Sequence, residues 1–187
     1  MRPVRSFATA AAAITLAACA DAAPTVVVPV FDVGPEMGVV ANGGTHAAVP
    51  LSGDEEVPAR PTRARGTATF SLSADGSELS YRLVVANIEN VVQSHIHIGA
   101  AGANGPVGVF LYGLVASGGG RVDGVLAQGT ITEGDFIGPL EGASMGDLIG
   151  HMTSGNAYVN VHTNDGVDPG NTGPGDFPGG EVRGQIR

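Results

Sequence analysis

The amino-acid sequence predicts an all-β protein: an antiparallel Greek-key sandwich or barrel with one short helix. The composition favours this fold, because 30 glycines and 12 prolines among 187 residues, with 14% charged residues, are typical of many short strands joined by tight turns. Apolar and polar side chains alternate with period two over several segments. Turn signals recur about every 8–12 residues without a βαβ rhythm, which favours an antiparallel arrangement.

The clearest alternation lies in two neighbouring segments, residues 67–73 and 79–85. Asp75-Gly76 stands between them, and an Asp-Gly pair between alternating runs is a strong signal for a β-hairpin. The first strand is predicted to leave into an acidic turn within Leu51–Pro58. Further strands are predicted at Val91–Ile98, Val107–Tyr112, Arg121–Ile131, Asn156–Thr163 and Glu181–Ile186.

One segment has the spacing of a helix. Ser144 can cap it, and Asp147 then lies at the third helical position, near the positive end of the helix dipole. Residues 142–146 also match G-x-S-x-G, but a nucleophile elbow needs a parallel strand of an α/β sheet, so we predict that Ser144 is a helix cap. The apolar stripe of the helix consists of Met145, Leu148, Ile149 and Met152.

The N-terminus is predicted to be a lipoprotein signal peptide, residues 1–18. Arg2 and Arg5 form its basic region, and Phe7–Ala18 form its apolar region. The run Leu16–Cys19 (L-A-A-C) resembles the bacterial lipobox, in which the cysteine is lipidated and becomes the mature N-terminus. Cys19 is the sole cysteine of the chain. The alternative is an ordinary signal peptide that is cleaved near an incidental cysteine.

Residues 19–48 contain several prolines and a Gly-Gly pair and have no sustained periodicity, so we predict a disordered tether. The β domain is predicted to span residues 49–187, beginning near Val49. A formal net charge of −9 repels phosphate backbones, which excludes nucleic acid as a partner. A single cysteine excludes an internal disulfide framework.

Two histidines stand out on the predicted strand Val91–Ile98. Ile96 and Ile98 should face the core, which places His95 and His97 on the opposite, outer face. At a rise of roughly 3.3 Å per residue, the two imidazoles would lie about 6–7 Å apart. Together they could supply two ligands for a metal ion.

The predicted strand Asn156–Thr163 has the same pattern, since Tyr158, Asn160 and His162 should face outward. If the two strands are neighbours, His95, His97 and His162 share one polar surface. Three imidazoles suit copper or zinc and leave a coordination position open. The alternative is structural: these histidines would hydrogen-bond to strand-edge carbonyls and to Asn160 or Tyr158.

Oxygen ligands suitable for calcium lie in the loop of residues 164–171, together with Asp176. Their spacing does not fit an EF-hand loop. The alternative is a solvated, glycine-rich loop.

Several ordered motifs, covering about residues 49–187, resemble the CHRD domain. The resemblance implies an extracytoplasmic all-β domain and by itself names no activity for a bacterial member. The motifs are Leu51-Ser52-Gly53, Glu56-Val57-Pro58, Gly66-Thr67-Ala68, His95-Ile96-His97-Ile98-Gly99, Asn104-Gly105-Pro106-Val107, Gly155–Thr163 and Pro178–Ile186.

We therefore expect a binding module rather than an enzyme, tethered to a membrane of the cell envelope by a lipid on Cys19 and facing away from the cytoplasm. Its partner would be an unidentified component of the envelope or the extracellular space. The alternative is a periplasmic protein that binds copper or zinc through His95, His97 and His162. Open edge strands would also allow homo-oligomers to form.

Overall fold

The computed structural model describes residues 38–39 and 45–187, with side chains described from His46 onward. The predicted signal peptide, Cys19 and most of the predicted tether lie outside the described residues. No helix in the part of the chain that the structure describes has the length and apolar character needed to cross a membrane. The elements are β1 Gly38–Val39, β2 Thr45–Ser52, β3 Arg65–Leu72, β4 Leu79–Glu89, β5 Val91–Ile98, β6 Val107–Gly113, β7 Arg121–Ile131, α1 Met145–Thr153, β8 Ala157–Thr163 and β9 Val182–Ile186.

The strands form one antiparallel sheet in the order β6-β5-β8-β9-β2-β3-β4-β7, and β1 pairs with β2. The two ends of this order, β6 and β7, approach each other, so the sheet curls into a nearly closed barrel. The predicted all-β antiparallel fold is confirmed. Strand β2 begins at Thr45, ahead of the predicted domain start at Val49.

The predicted hairpin is formed by β3 and β4, whose ends meet at the pair Leu72 and Leu79. Gly76 adopts a φ of 75° in the turn, a conformation that glycine takes without steric cost. The Asp75 carboxylate accepts hydrogen bonds from the Ser73 hydroxyl at 2.7 Å and from the Ser77 amide at 3.1 Å. The turn chemistry and the alternation of the flanking strands therefore fix the same register.

Helix α1 packs its apolar stripe into the core, where Met145, Leu148 and Met152 are buried. Ser144 is the N-cap: its hydroxyl accepts from the Asp147 amide at 3.2 Å, and the Asp147 carboxylate accepts from the Ser144 amide at 2.8 Å. This reciprocal pair is a capping box. The predicted helix and the capping role of Ser144 are both present in the structure.

Candidate metal centre

Pairing between β5 and β8 brings the three predicted histidines together. In this antiparallel register His95 lies opposite Asn160, His97 opposite Tyr158, and Gln93 opposite His162. The alternate residues of both strands face the core, and the fully buried ones include Ile96, Val159 and Val161. The imidazoles therefore lie on the face directed away from the apolar core, because successive side chains of a β-strand point to opposite faces.

The three histidines share one outward face of the sheet, as expected, but that face is covered and not exposed to solvent. Only 2% of His95, 6% of His162 and 8% of His97 are exposed. The reason is that two loops fold over this outer face of the sheet. The glycine-rich turn after β5 lies against His97, and the loop before β9 lies against His162.

The rings of His95, His97 and His162, called here the histidine cluster, lie against one another. His95 Nδ1 lies 3.1 Å from His162 Nε2. The ring centroids are 5.3 Å apart for His95 and His97, and 4.9 Å apart for His95 and His162. One nitrogen from each ring can be chosen so that all three lie within 4.8 Å of one another.

Backbone carbonyls orient two of the rings. His97 Nδ1 lies 2.8 Å from the Gly105 oxygen, and His162 Nδ1 lies 2.8 Å from the Pro178 oxygen. Because a carbonyl can only accept, each Nδ1 must carry the proton, which leaves the Nε2 lone pair free. A histidine whose second nitrogen donates to a carbonyl in this way has the tautomer and orientation typical of a metal ligand.

The same tautomers leave two buried nitrogens unprotonated and without a hydrogen-bond donor. His162 Nε2 carries no proton, so in the metal-free protein it accepts a hydrogen bond from His95 Nδ1. His95 Nε2 then carries no proton either. Among the described residues, His95 Nε2 and His97 Nε2 have no hydrogen-bond partner. Buried polar atoms are usually paired, so these two nitrogens are available to a further partner.

Burial also keeps the cluster neutral. Desolvation, with the neighbouring His162 and His97, lowers the pKa of His95 from 6.5 to about 3. Desolvation likewise lowers the pKa of His162 to about 4, although its hydrogen bond to Pro178 opposes the shift. The pKa of His97 is lowered as well, again mainly by burial. At neutral pH all three rings are therefore uncharged and able to donate a lone pair.

These shifts predict a pH dependence of stability in the metal-free protein. The cluster histidines bind protons more readily in the unfolded chain, where their pKa is near 6.5, than in the fold. Their contribution to the free energy of unfolding should be complete above that pH and should be lost progressively as the pH falls toward 4 and 3. Urea unfolding at about pH 7 and about pH 5 measures the loss.

Comparing the free energy of unfolding at the two pH values requires a variant, because the contribution of Glu56 changes in the opposite direction with pH. Desolvation raises the pKa of Glu56 to about 7, against the lowering effects of Arg183 and Arg60, so acid favours its folded form. Wild-type protein should therefore lose more unfolding free energy between the two pH values than His162→Gln does. Equal losses in the two proteins would contradict the buried, neutral state of the cluster.

Aromatic rings pack beside the cluster. Tyr158 stacks on His97 with ring centroids 4.8 Å apart and an interplanar angle of 5°. Phe110 meets His95 edge to face at 4.4 Å. Tyr158 in turn carries the Arg183 guanidinium 3.4 Å from its ring centroid, a cation–π contact. Phe110 itself is 45% exposed.

Arg183 holds the glycine-rich turn in place. It is 1% exposed, and its guanidinium donates to the Ala103 carbonyl at 3.0 Å, to the Ala100 carbonyl at 3.3 Å and to the Gln185 side chain at 3.1 Å. These bonds fix residues 99–106 over the sheet, and with them the Gly105 carbonyl that orients His97. Arg183 is thus a positioning residue of the site.

Glu181 holds the second covering loop. Its carboxylate is fully buried and accepts from the Thr62 hydroxyl at 2.6 Å, the Thr163 hydroxyl at 2.7 Å and the Gly175 amide at 2.8 Å. The loop carries the Pro178 carbonyl that orients His162. Our reasoning from the sequence did not assign roles to Arg183 and Glu181, although both lie in the motif Pro178–Ile186.

The residues considered for calcium do not gather in the same way. Within residues 45–187, the histidine cluster is the one group of three or more His, Cys, Asp or Glu side chains placed to share an ion. The Asp176 carboxylate instead accepts from the amide and the hydroxyl of Thr172, both at 2.9 Å. These bonds fold the loop onto itself.

The model of the CHRD domain family matches residues 47–186. No curated protein and no solved structure matches the chain. The family match spans nearly all of β2 through β9 and includes the histidine cluster with both of its covering loops. Since the match covers most of the 187 residues, the chain belongs to the CHRD domain family.

Proposed function

We propose that this CHRD domain is a binding module whose ligand is a copper or zinc ion, held by His95, His97 and His162. The observation that carries the proposal is the set of three buried imidazole nitrogens within 4.8 Å of one another. Two of the three rings already donate their other nitrogen to a carbonyl, the arrangement expected of metal ligands.

The chemistry of the donors suits these ions. Imidazole binds copper and zinc well, whereas calcium and magnesium prefer oxygen. Two nitrogens bound to one tetrahedral ion at 2.0–2.1 Å lie about 3.3–3.4 Å apart. His95 Nδ1 and His162 Nε2 are 3.1 Å apart, close to this separation, so an ion would replace their hydrogen bond once the proton of His95 moves from Nδ1 to Nε2.

Calorimetric titration of metal-free, untagged protein tests the proposal. Cu²⁺ and Zn²⁺ should each bind with a stoichiometry of one ion per chain. A protein that takes up neither ion, or takes up several weakly and with no single site, would rule the proposal out.

We also propose that the domain acts outside the cytoplasm, anchored to a membrane by lipid on Cys19. The basic Arg2 and Arg5, the apolar run Phe7–Ala18 and the lipobox-like Leu16–Cys19 support this. Several acyl chains on one residue would give a stable anchor where a single chain would not. The intervening residues would then present the domain to the envelope or the extracellular space.

Replacing Cys19 with serine should abolish the anchor, because serine cannot accept the thioether-linked lipid. The variant, expressed in a bacterial host, should lose incorporation of labelled fatty acid and should move from the detergent phase to the aqueous phase. Ser6→Ala, which changes the signal region but keeps the cysteine, is the matched control. A Cys19→Ser protein that remains in the detergent phase would place the anchor elsewhere.

A further inference from the structure

Asn160 lies beside the histidine cluster, and among the described residues its side-chain oxygen has no hydrogen-bond partner. Asn160 is 3% exposed and lies on the same face of β8 as His162 and directly opposite His95 on β5. Side chains in such a position have Cβ atoms about 4.5–5.5 Å from their neighbour across the ladder. The amide of Asn160 therefore lies at the edge of the histidine cluster.

The Asn160 side-chain oxygen is buried and has no hydrogen-bond partner within the described part of the chain. The backbone oxygen of the same residue is satisfied, since it accepts from the Ser94 hydroxyl at 2.7 Å. A leucine of similar size would fill the same space without leaving a buried oxygen unpaired. A role in packing alone therefore does not explain an asparagine here.

The nitrogen of the same amide lies near Glu56, a second buried side chain. The amide nitrogen of Asn160 lies beside Gly180, where an added Cβ would meet it at 2.9 Å and would collide with the Glu56 carboxyl group. Glu56 Oε1 and His97 Nε2 are, like the Asn160 oxygen, buried atoms without a partner among the described residues. Each of these atoms is free to accept from a donor or to contact a cation.

The Asn160 side chain lies on the same face of the sheet as the three rings, because it is two residues from His162 on β8 and pairs with His95 on β5. The amide oxygen and the three ring nitrogens are therefore neighbouring donors on one covered face. Together they provide three nitrogen donors and one oxygen donor.

We propose that Asn160 supplies oxygen to the fourth position of the metal centre and thereby makes the site selective for a divalent ion, Cu²⁺ or Zn²⁺, over Cu⁺. This inference rests on the proposed metal-binding function. Amide oxygen is a hard donor, which divalent ions accept and the softer Cu⁺ does not need, because imidazoles alone satisfy it. Removing the oxygen should therefore weaken divalent binding and leave Cu⁺ binding nearly unchanged.

The test compares Zn²⁺ and Cu⁺ affinities in the full-length protein by competition with chromophoric chelators, with Cu⁺ handled without oxygen. In Asn160→Leu, Zn²⁺ affinity should fall at least about tenfold while Cu⁺ affinity changes by less than about threefold. In Asn160→Asp, which keeps the shape and adds a negative charge, the preference for Zn²⁺ over Cu⁺ should rise at least about tenfold. Circular dichroism of the metal-free variants reports whether each is folded.

The outcomes separate this inference from the proposed function. Wild-type protein that binds neither ion overturns both. Wild-type protein that binds both ions, with the same ratio of Zn²⁺ to Cu⁺ affinity in the folded variants, overturns the role of Asn160 alone. If Asn160→Leu does not fold, Asn160→Asp decides the question, because an unchanged ratio there also contradicts the inference.

Discussion

Replacing His97 with alanine should weaken Cu²⁺ binding at least about a hundredfold, since loss of one ligand should exceed the 10–100-fold cost typical of losing a group that merely orients a ligand. His97 contributes one of the three imidazoles, and its orientation is fixed before an ion arrives by the Gly105 carbonyl at 2.8 Å and by stacking on Tyr158. The remaining His95 and His162 would form a two-nitrogen site. Competition with a chelator of known Cu²⁺ affinity measures the difference.

His151→Ala is the matched control. His151 lies in the last turn of α1, is half-buried, and is outside the histidine cluster. Its removal deletes an imidazole of the same type and should leave Cu²⁺ affinity within about threefold of the wild-type value. If both variants bound as tightly as the wild type, or if both lost affinity equally, the cluster would not be the binding site.

Replacing Glu181 with alanine should lower the free energy of unfolding by about 3–5 kcal/mol. The substitution removes a fully buried carboxylate that accepts hydrogen bonds from Thr62, Thr163 and Gly175, and it leaves those donors unpaired in the interior. Urea unfolding of metal-free protein at neutral pH measures the change.

Glu141→Ala provides the comparison for this substitution, because Glu141 is exposed. Its effect should stay within about 0.5 kcal/mol. Since Glu181 fixes the loop that presents the Pro178 carbonyl to His162, Glu181→Ala should also weaken metal binding, while Glu141→Ala should not. A Glu181→Ala protein as stable as the wild type would show that the carboxylate does not hold the loop.

Much of the fold could be predicted because its signals are local. Strands β5 and β7 occupy Val91–Ile98 and Arg121–Ile131, the ranges predicted from the sequence. The hairpin turn at Asp75-Gly76 and the cap at Ser144 each depend on residues within a few positions of one another. Period-two alternation and short-range turn chemistry suffice for such elements.

The candidate site was predictable only in part. The alternation of side chains along the strand predicted that His95 and His97 share one face. The pairing of β5 with β8 in the structure brings His162 to the same face. The burial of the three rings was not predictable from alternation, because it depends on loops that return from distant parts of the chain. Glu181 bonds to Thr62, and Arg183 bonds to Ala103, across separations that no local pattern encodes.

The most direct test of the proposed metal centre is a crystal structure of the zinc-loaded protein, with anomalous scattering recorded at the zinc edge. We expect a single strong anomalous peak per chain, 2.0–2.1 Å from one nitrogen of each of His95, His97 and His162. No peak at the cluster, or a peak held instead by His46 or His151, would contradict the assignment of these three buried imidazoles as metal ligands.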